Sequence, residues 1–99
     1  MTIDDFLSRN KLMLLYEKYD SEYIDKVFNG NFFRIYNLFL SRGFNYIDDI
    51  IVNYLEIFDL DYDYVNEGLL NLANYLGDNY IFLIGEDMRY LKYLLTDRK

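Results

Sequence analysis

The stretch that decides the fold is Asn45-Tyr46-Ile47-Asp48-Asp49-Ile50-Ile51-Val52-Asn53-Tyr54-Leu55-Glu56-Ile57-Phe58. Its apolar residues Ile47, Ile50, Ile51, Tyr54 and Phe58 recur at i, i+3, i+4, i+7 and i+11, the spacing of one helix face. Asp48, Asp49, Asn53 and Glu56 fall on the polar face. Asp48 and Asp49 lie in the first turn, where the positive end of the helix dipole favours acids. Asn45 stands where a cap is needed. The spacing predicts one amphipathic helix carried through to Phe58.

The same punctuation recurs on both sides. Thr2 precedes Asp5 in a capping-box relation, ahead of Ile3, Phe6 and Leu7 at helical spacing. Met13, Leu14 and Tyr16 extend that helix or start another. Asp20-Ser21 opens a short helix through Val27, stopped by Asn29-Gly30. Asn31 caps a segment with Phe32, Ile35, Leu38 and Phe39 on one face, ended by Gly43. The run Asp59-Leu60-Asp61-Tyr62-Asp63 reads as a turn. After it, Val65, Leu69, Leu72, Ala73 and Leu76 form a helical face stopped by Gly77. Tyr80-Ile81-Phe82-Leu83-Ile84 fits a buried strand or a short helix, and helix is favoured because a lone strand has nothing to pair with. Met88 to Leu95 places Leu91, Leu94 and Leu95 inward, with Lys92, Arg98 and Lys99 at the negative end of the dipole. The expected fold is all-α: one domain, residues 1–99, of about five to six short helices.

A weak internal match accompanies these elements. Gly43-Phe44-Asn45-Tyr46-Ile47 aligns with Gly77-Asp78-Asn79-Tyr80-Ile81 at an offset of 34, a period met in helix-pair repeats. Its physical content is a left-handed glycine at a helix end, a capping Asn, and Tyr-Ile opening the next buried face. The signature residues of named repeat families are missing.

The chain has 99 residues, a mass of 12.1 kDa and a net charge of −7, with no His, Cys, Pro or Trp. Length and mass fit one domain with a folded surface of about 6,000 Å². Without Cys there are no disulfides, zinc ribbons, iron–sulfur clusters or thiol nucleophiles. Without His the commonest general base and metal ligand are missing. The bias toward Tyr, Asn, Ile, Phe and Asp, with one Ala and no Gln, points to an AT-rich coding genome, such as a low-GC bacterium or its phage. The acidic N-terminus is the reverse of a signal peptide, and no window is apolar enough to span a membrane. The expected location is the cytoplasm.

Charge is unevenly distributed. Residues 1–42 hold six acids and six bases, whereas residues 43–88 hold ten acids and no Lys or Arg. Residues 89–99 carry a net charge of +3. Direct nucleic-acid binding needs clustered bases to meet phosphates, and anionic membrane binding needs them too, so neither is expected. The base-free stretch is either a solubilising surface or a docking face for a basic partner.

Motifs for chemistry are weak. Asp59-x-Asp61-x-Asp63 resembles the start of a calcium loop, but the sixth and twelfth positions are Tyr64 and Leu70, not Gly and Glu. Asp48-Asp49 and Glu86-Asp87 are adjacent on helices and diverge by about 100°, so neither pair converges on one site. No glycine cluster forms a phosphate loop. No enzyme, cofactor or metal is expected. Tyr46, Tyr54 and Tyr80 fall on apolar faces, and Tyr90 and Tyr93 lie near the C-terminus.

The expected contact residues are Asp48, Asp49, Glu56, Asp59, Asp61, Tyr62, Asp63, Tyr64 and Glu67. Tyr is a frequent hot-spot residue because it buries much area at low entropic cost. The leading reading is an acidic inhibitor that docks on the nucleic-acid-binding surface of a basic protein, of phage or mobile-element type. The alternative is a structural module that forms homo-oligomers, such as a homodimer, through unburied apolar faces.

Overall fold

In a computed structural model, which describes residues 2–96, the chain folds into six α-helices joined by short turns and three 3₁₀ segments. The helices are α1 (Arg9–Lys18), α2 (Ser21–Asn29), α3 (Phe32–Ser41), α4 (Ile47–Asn53), α5 (Tyr62–Leu76) and α6 (Tyr80–Glu86). The 3₁₀ segments are Ile3–Asp5, Leu55–Asp59 and Met88–Leu95. No strand occurs among the described residues, and Tyr80–Ile84 is helical. The fold is all-α, as the periodicity predicts. The surface is 6194 Å², close to the value expected from mass.

The core is one cluster centred on aromatic rings. Phe32, Phe39 and Phe58 are fully buried, together with Leu15, Ile24, Ile35, Ile50, Ile51, Leu55, Ile57, Leu69 and Ile84. Phe32 lies 5.3 Å from both Phe6 and Phe58 and 5.2 Å from Phe28, centroid to centroid. Among the described residues no polar or charged side chain is buried. α1 packs chiefly on α4, α3 sits against α5 and the Leu55–Asp59 segment, and α5 is flanked by α6 and the Met88–Leu95 segment.

Several local expectations are corrected. The helix from Ile47 does not reach Phe58; it ends at Asn53, and Tyr54 leaves the helical region with φ −141° and ψ 54°. The cause is tertiary. Lys18 Nζ donates to the Asn53 carbonyl at 2.7 Å, and the Leu55 N–H donates to the Tyr19 hydroxyl at 3.2 Å. Side chains from the end of α1 thus serve the backbone groups that a helix break orphans. The break lets Leu55, Ile57 and Phe58 all face the core. The N-cap of this helix is Tyr46, not Asn45. The turn expected over residues 59–63 is shorter: α5 already begins at Tyr62, so only Leu60 and Asp61 connect it to the preceding segment. Met13, Leu14 and Tyr16 are exposed on α1, which buries only Leu15. Met88–Leu95 winds as a 3₁₀ helix, so Leu91 and Leu94 point inward at a spacing of three while Leu95 is exposed. Arg98 and Lys99, expected at its dipole end, lie outside the described residues.

Gly43 and Gly77 both take positive φ, 93° and 87°. The order α-helix, α-helix, 3₁₀ segment occurs twice, from α3 and from α5. The two helices differ in length, 10 against 15 residues. Gly77 adopts ψ −166° rather than the left-handed helical value, and it stands directly after Leu76. Gly85 permits a close approach instead: a Cβ there would lie 3.1 Å from the Tyr46 ring, whose hydroxyl donates to the Ile81 carbonyl at 2.5 Å. Burial pushes the Tyr46 hydroxyl up to about 12, with the Tyr80 charge adding to it.

Candidate functional site: an acidic depression at the start of α5

The first turn of α5 meets α3 at a shallow depression of about 390 Å³, lined by Asn31, Arg34, Asp61, Tyr62, Asp63, Tyr64 and Glu67. Its walls are set by local interactions. The Asn31 amide donates to the Leu60 carbonyl at 2.9 Å, fixing the chain just before α5. The Arg34 guanidinium lies over the Tyr62 ring, 5.3 Å from its centroid. The Tyr64 hydroxyl donates to the Thr96 carbonyl at 2.5 Å. Asp61, Asp63 and Glu67 are exposed, and none is ion-paired among the described residues.

Five of the nine expected contact residues therefore converge here, and four do not. Contrary to the expectation that Asp48 and Asp49 diverge, both reach one ammonium: Lys11 Nζ lies 2.6 Å from Asp48 and 3.0 Å from Asp49, so the pair ties α4 to α1. Glu56 accepts a hydrogen bond from the Tyr19 hydroxyl. Burial, followed by this hydrogen bond and the Glu56 charge, pushes the Tyr19 hydroxyl well above its usual range. Asp59 faces Lys26 at 3.9 Å.

The base-free stretch is thus partly neutralised from outside itself. Of the six bases in residues 1–42, five reach it: Lys11, Lys18 and Lys26 as above, Arg34 on Tyr62, and Arg42 through a hydrogen bond to Asn66 Oδ1. Arg9 does not.

The Lys11 pair makes a pH prediction. Partial burial raises the Asp48 carboxyl, but the Lys11 hydrogen bond, the Asp49 N–H and the Lys11 charge outweigh it and hold the carboxyl below its usual value. A depressed carboxyl contributes stability above its unfolded value, about 4, and loses it as pH falls through the folded value. The Lys11 and Asp48 side chains are 31% and 40% exposed, so solvent screening limits the pair to about 0.5–1 kcal/mol. Lys11→Met is expected to lower stability by that amount at neutral pH and to flatten the acid limb. Urea midpoints measured between about pH 2 and 6 check it; parallel wild-type and variant profiles would count against the pairing.

Sequence reasoning missed Asn31 and Arg34, which only the packing of α3 on α5 brings to the depression. It also missed a groove of about 450 Å³ between α5 and the Met88–Leu95 segment, lined by Asn71, Leu72, Tyr75, Arg89, Tyr90 and Tyr93. The separation of Tyr90 from Tyr93 by three residues would have signalled one face of a 3₁₀ helix. In the groove the Asn71 amide donates to the Tyr93 hydroxyl at 3.2 Å, and Asp87 holds Arg89 through Nε at 2.9 Å and Nη2 at 2.8 Å. No group of three or more carboxylates among the described residues could hold a metal ion. No helix among them is long and apolar enough to cross a membrane. No family model, curated protein or solved structure matches the chain.

Proposed function

We propose that this chain is a non-enzymatic binding protein that docks the depression at the start of α5 on a basic protein surface. The observation that carries this reading is the convergence of Asp61, Asp63 and Glu67, exposed and without ion pairs among the described residues, around Tyr62 and Tyr64. A Lys or Arg side chain of the partner would set its charge against these carboxylates, beside the Tyr62 ring over which Arg34 already lies. The net charge of −7 would speed the encounter and disfavour acidic competitors. The proposed partner is a nucleic-acid-binding protein whose phosphate site the depression occupies. The chain would then act as an inhibitor in the cytoplasm, in the manner of small acidic phage proteins.

The test is capture of basic proteins from a host lysate on immobilised wild-type chain at low salt. A triple Asp61→Asn, Asp63→Asn, Glu67→Gln variant is expected to lose binding at least about ten-fold. Excess duplex DNA is expected to release the captured protein, as is salt, because exposed charges are screened beyond about 8–10 Å at ordinary ionic strength. Capture that survives salt, DNA and the triple substitution together would overturn the reading.

A further inference from the structure

Helix α1 is the least covered helix of the fold. It packs chiefly on α4, and Leu15 is its one fully buried residue. Its outer surface leaves Met13 57%, Leu14 51% and Tyr16 44% exposed. Arg9, Met13 and Glu17 follow one another at intervals of four, so they run along a single stripe of the helix, drifting about 40° per step. Arg9 and Glu17 are exposed, and neither is ion-paired among the described residues. Arg9 is also the base of the N-terminal half that is not used on the acidic stretch.

We propose that this stripe is a contact between two copies of the chain, packed antiparallel about a two-fold axis at Met13. Such an axis pairs residues equally spaced on either side of it. Arg9 then meets Glu17 of the partner subunit, and Glu17 meets Arg9 of the partner subunit. The two Met13 side chains touch at the centre. The contact is self-complementary, as a two-fold interface must be. The charges select the direction: a parallel pair would set Arg9 on Arg9 and Glu17 on Glu17. They also answer the main objection to self-association in a chain of net charge −7, because two attractions replace repulsion at this face. Met13 suits the axis, since an unbranched thioether adapts to its own copy. A helix of ten residues is about 15 Å long, so the buried area falls below the ~1,200 Å² of stable complexes and the dimer is weak and reversible. None of these residues lines the α5 depression, so this contact and the proposed function can fail separately.

The experiment is sedimentation across a concentration series reaching about 1 mM, suited to a weak interface. Wild-type mass is expected to climb from 12.1 kDa toward twice that value. Arg9→Glu alone and Glu17→Arg alone should each weaken association at least about ten-fold. Both variants should fold, because each places a charge favoured at its end of the helix dipole. Mixed in equal amounts, the two single variants should associate with each other, since their stripes are again complementary. The combined Arg9→Glu, Glu17→Arg chain should regain dimerisation. A wild-type monomer independent of concentration would overturn the proposal. So would a dimer indifferent to both single substitutions, or single variants that fail to associate on mixing.

Discussion

Phe32→Ala is expected to cost about 3–5 kcal/mol of folding stability. Phe32 is fully buried and its ring meets Phe6, Phe28, Phe33, Tyr36 and Phe58, all within 6 Å centroid to centroid. Truncation removes the transfer energy of the ring and leaves a cavity that α2, α3, the Leu55–Asp59 segment and the chain at Phe6 would have to close. Each is held by other contacts, so collapse is limited. Domains of this size hold about 5–15 kcal/mol in total, so the variant should melt about 15–30 °C lower. The neighbouring Phe33 belongs to the same ring cluster but is 37% exposed, so Phe33→Ala should cost about 1 kcal/mol. Thermal and urea unfolding of both variants would decide it, and equal losses would show that Phe32 is not the centre of the core. Phe32 also opens α3 between Asn31 and Arg34, so its loss should loosen one wall of the acidic depression.

Gly77→Ala should destabilise by about 1–3 kcal/mol for a reason unconnected with space. A Cβ at this position would have no atom within 4 Å, so nothing clashes. The backbone is the obstacle. At φ 87° and ψ −166° Gly77 occupies a region almost reserved for glycine. Alanine also restricts the unfolded chain, which works in the opposite direction by about 0.4–1 kcal/mol and trims the loss. Chirality supplies a control. The same Gly77→Ala change made with the D enantiomer, by chemical synthesis, fits these angles and should be neutral or stabilising. Equal losses for both enantiomers would place the cost outside the backbone conformation.

The helical pattern was legible where a helix carries its own signal, with α1 the exception, since Met13, Leu14 and Tyr16 stay exposed and Leu15 is buried. Ile47, Ile50 and Ile51 specify α4 locally, and Val65, Leu69 and Leu72 specify α5, since burial of one face demands that spacing. The length of α4 was not legible. Tyr54 and Phe58 continue its periodicity, yet the chain breaks at Tyr54 because Lys18 and Tyr19, some 35 residues earlier, meet Asn53 and Leu55 there. The start of α5 was hidden for a related reason. Asp61, Tyr62 and Asp63 look like turn residues by composition, but the Asp61 carbonyl already accepts from Val65 N–H at 3.1 Å.

The acidic character of residues 43–88 belongs to the sequence alone: ten acids and no base follow from composition, whatever the fold. Which of those acids remain available was decided by tertiary structure. Packing α1 on α4 spends Asp48 and Asp49 on Lys11, and Tyr19 takes up Glu56. Packing α3 on α5 gathers Asp61, Asp63 and Glu67 beside Tyr62, Tyr64 and Arg34. The physical reason is range. Helical periodicity is written within a few residues, whereas an ion pair depends on which distant side chain the core brings within about 4 Å.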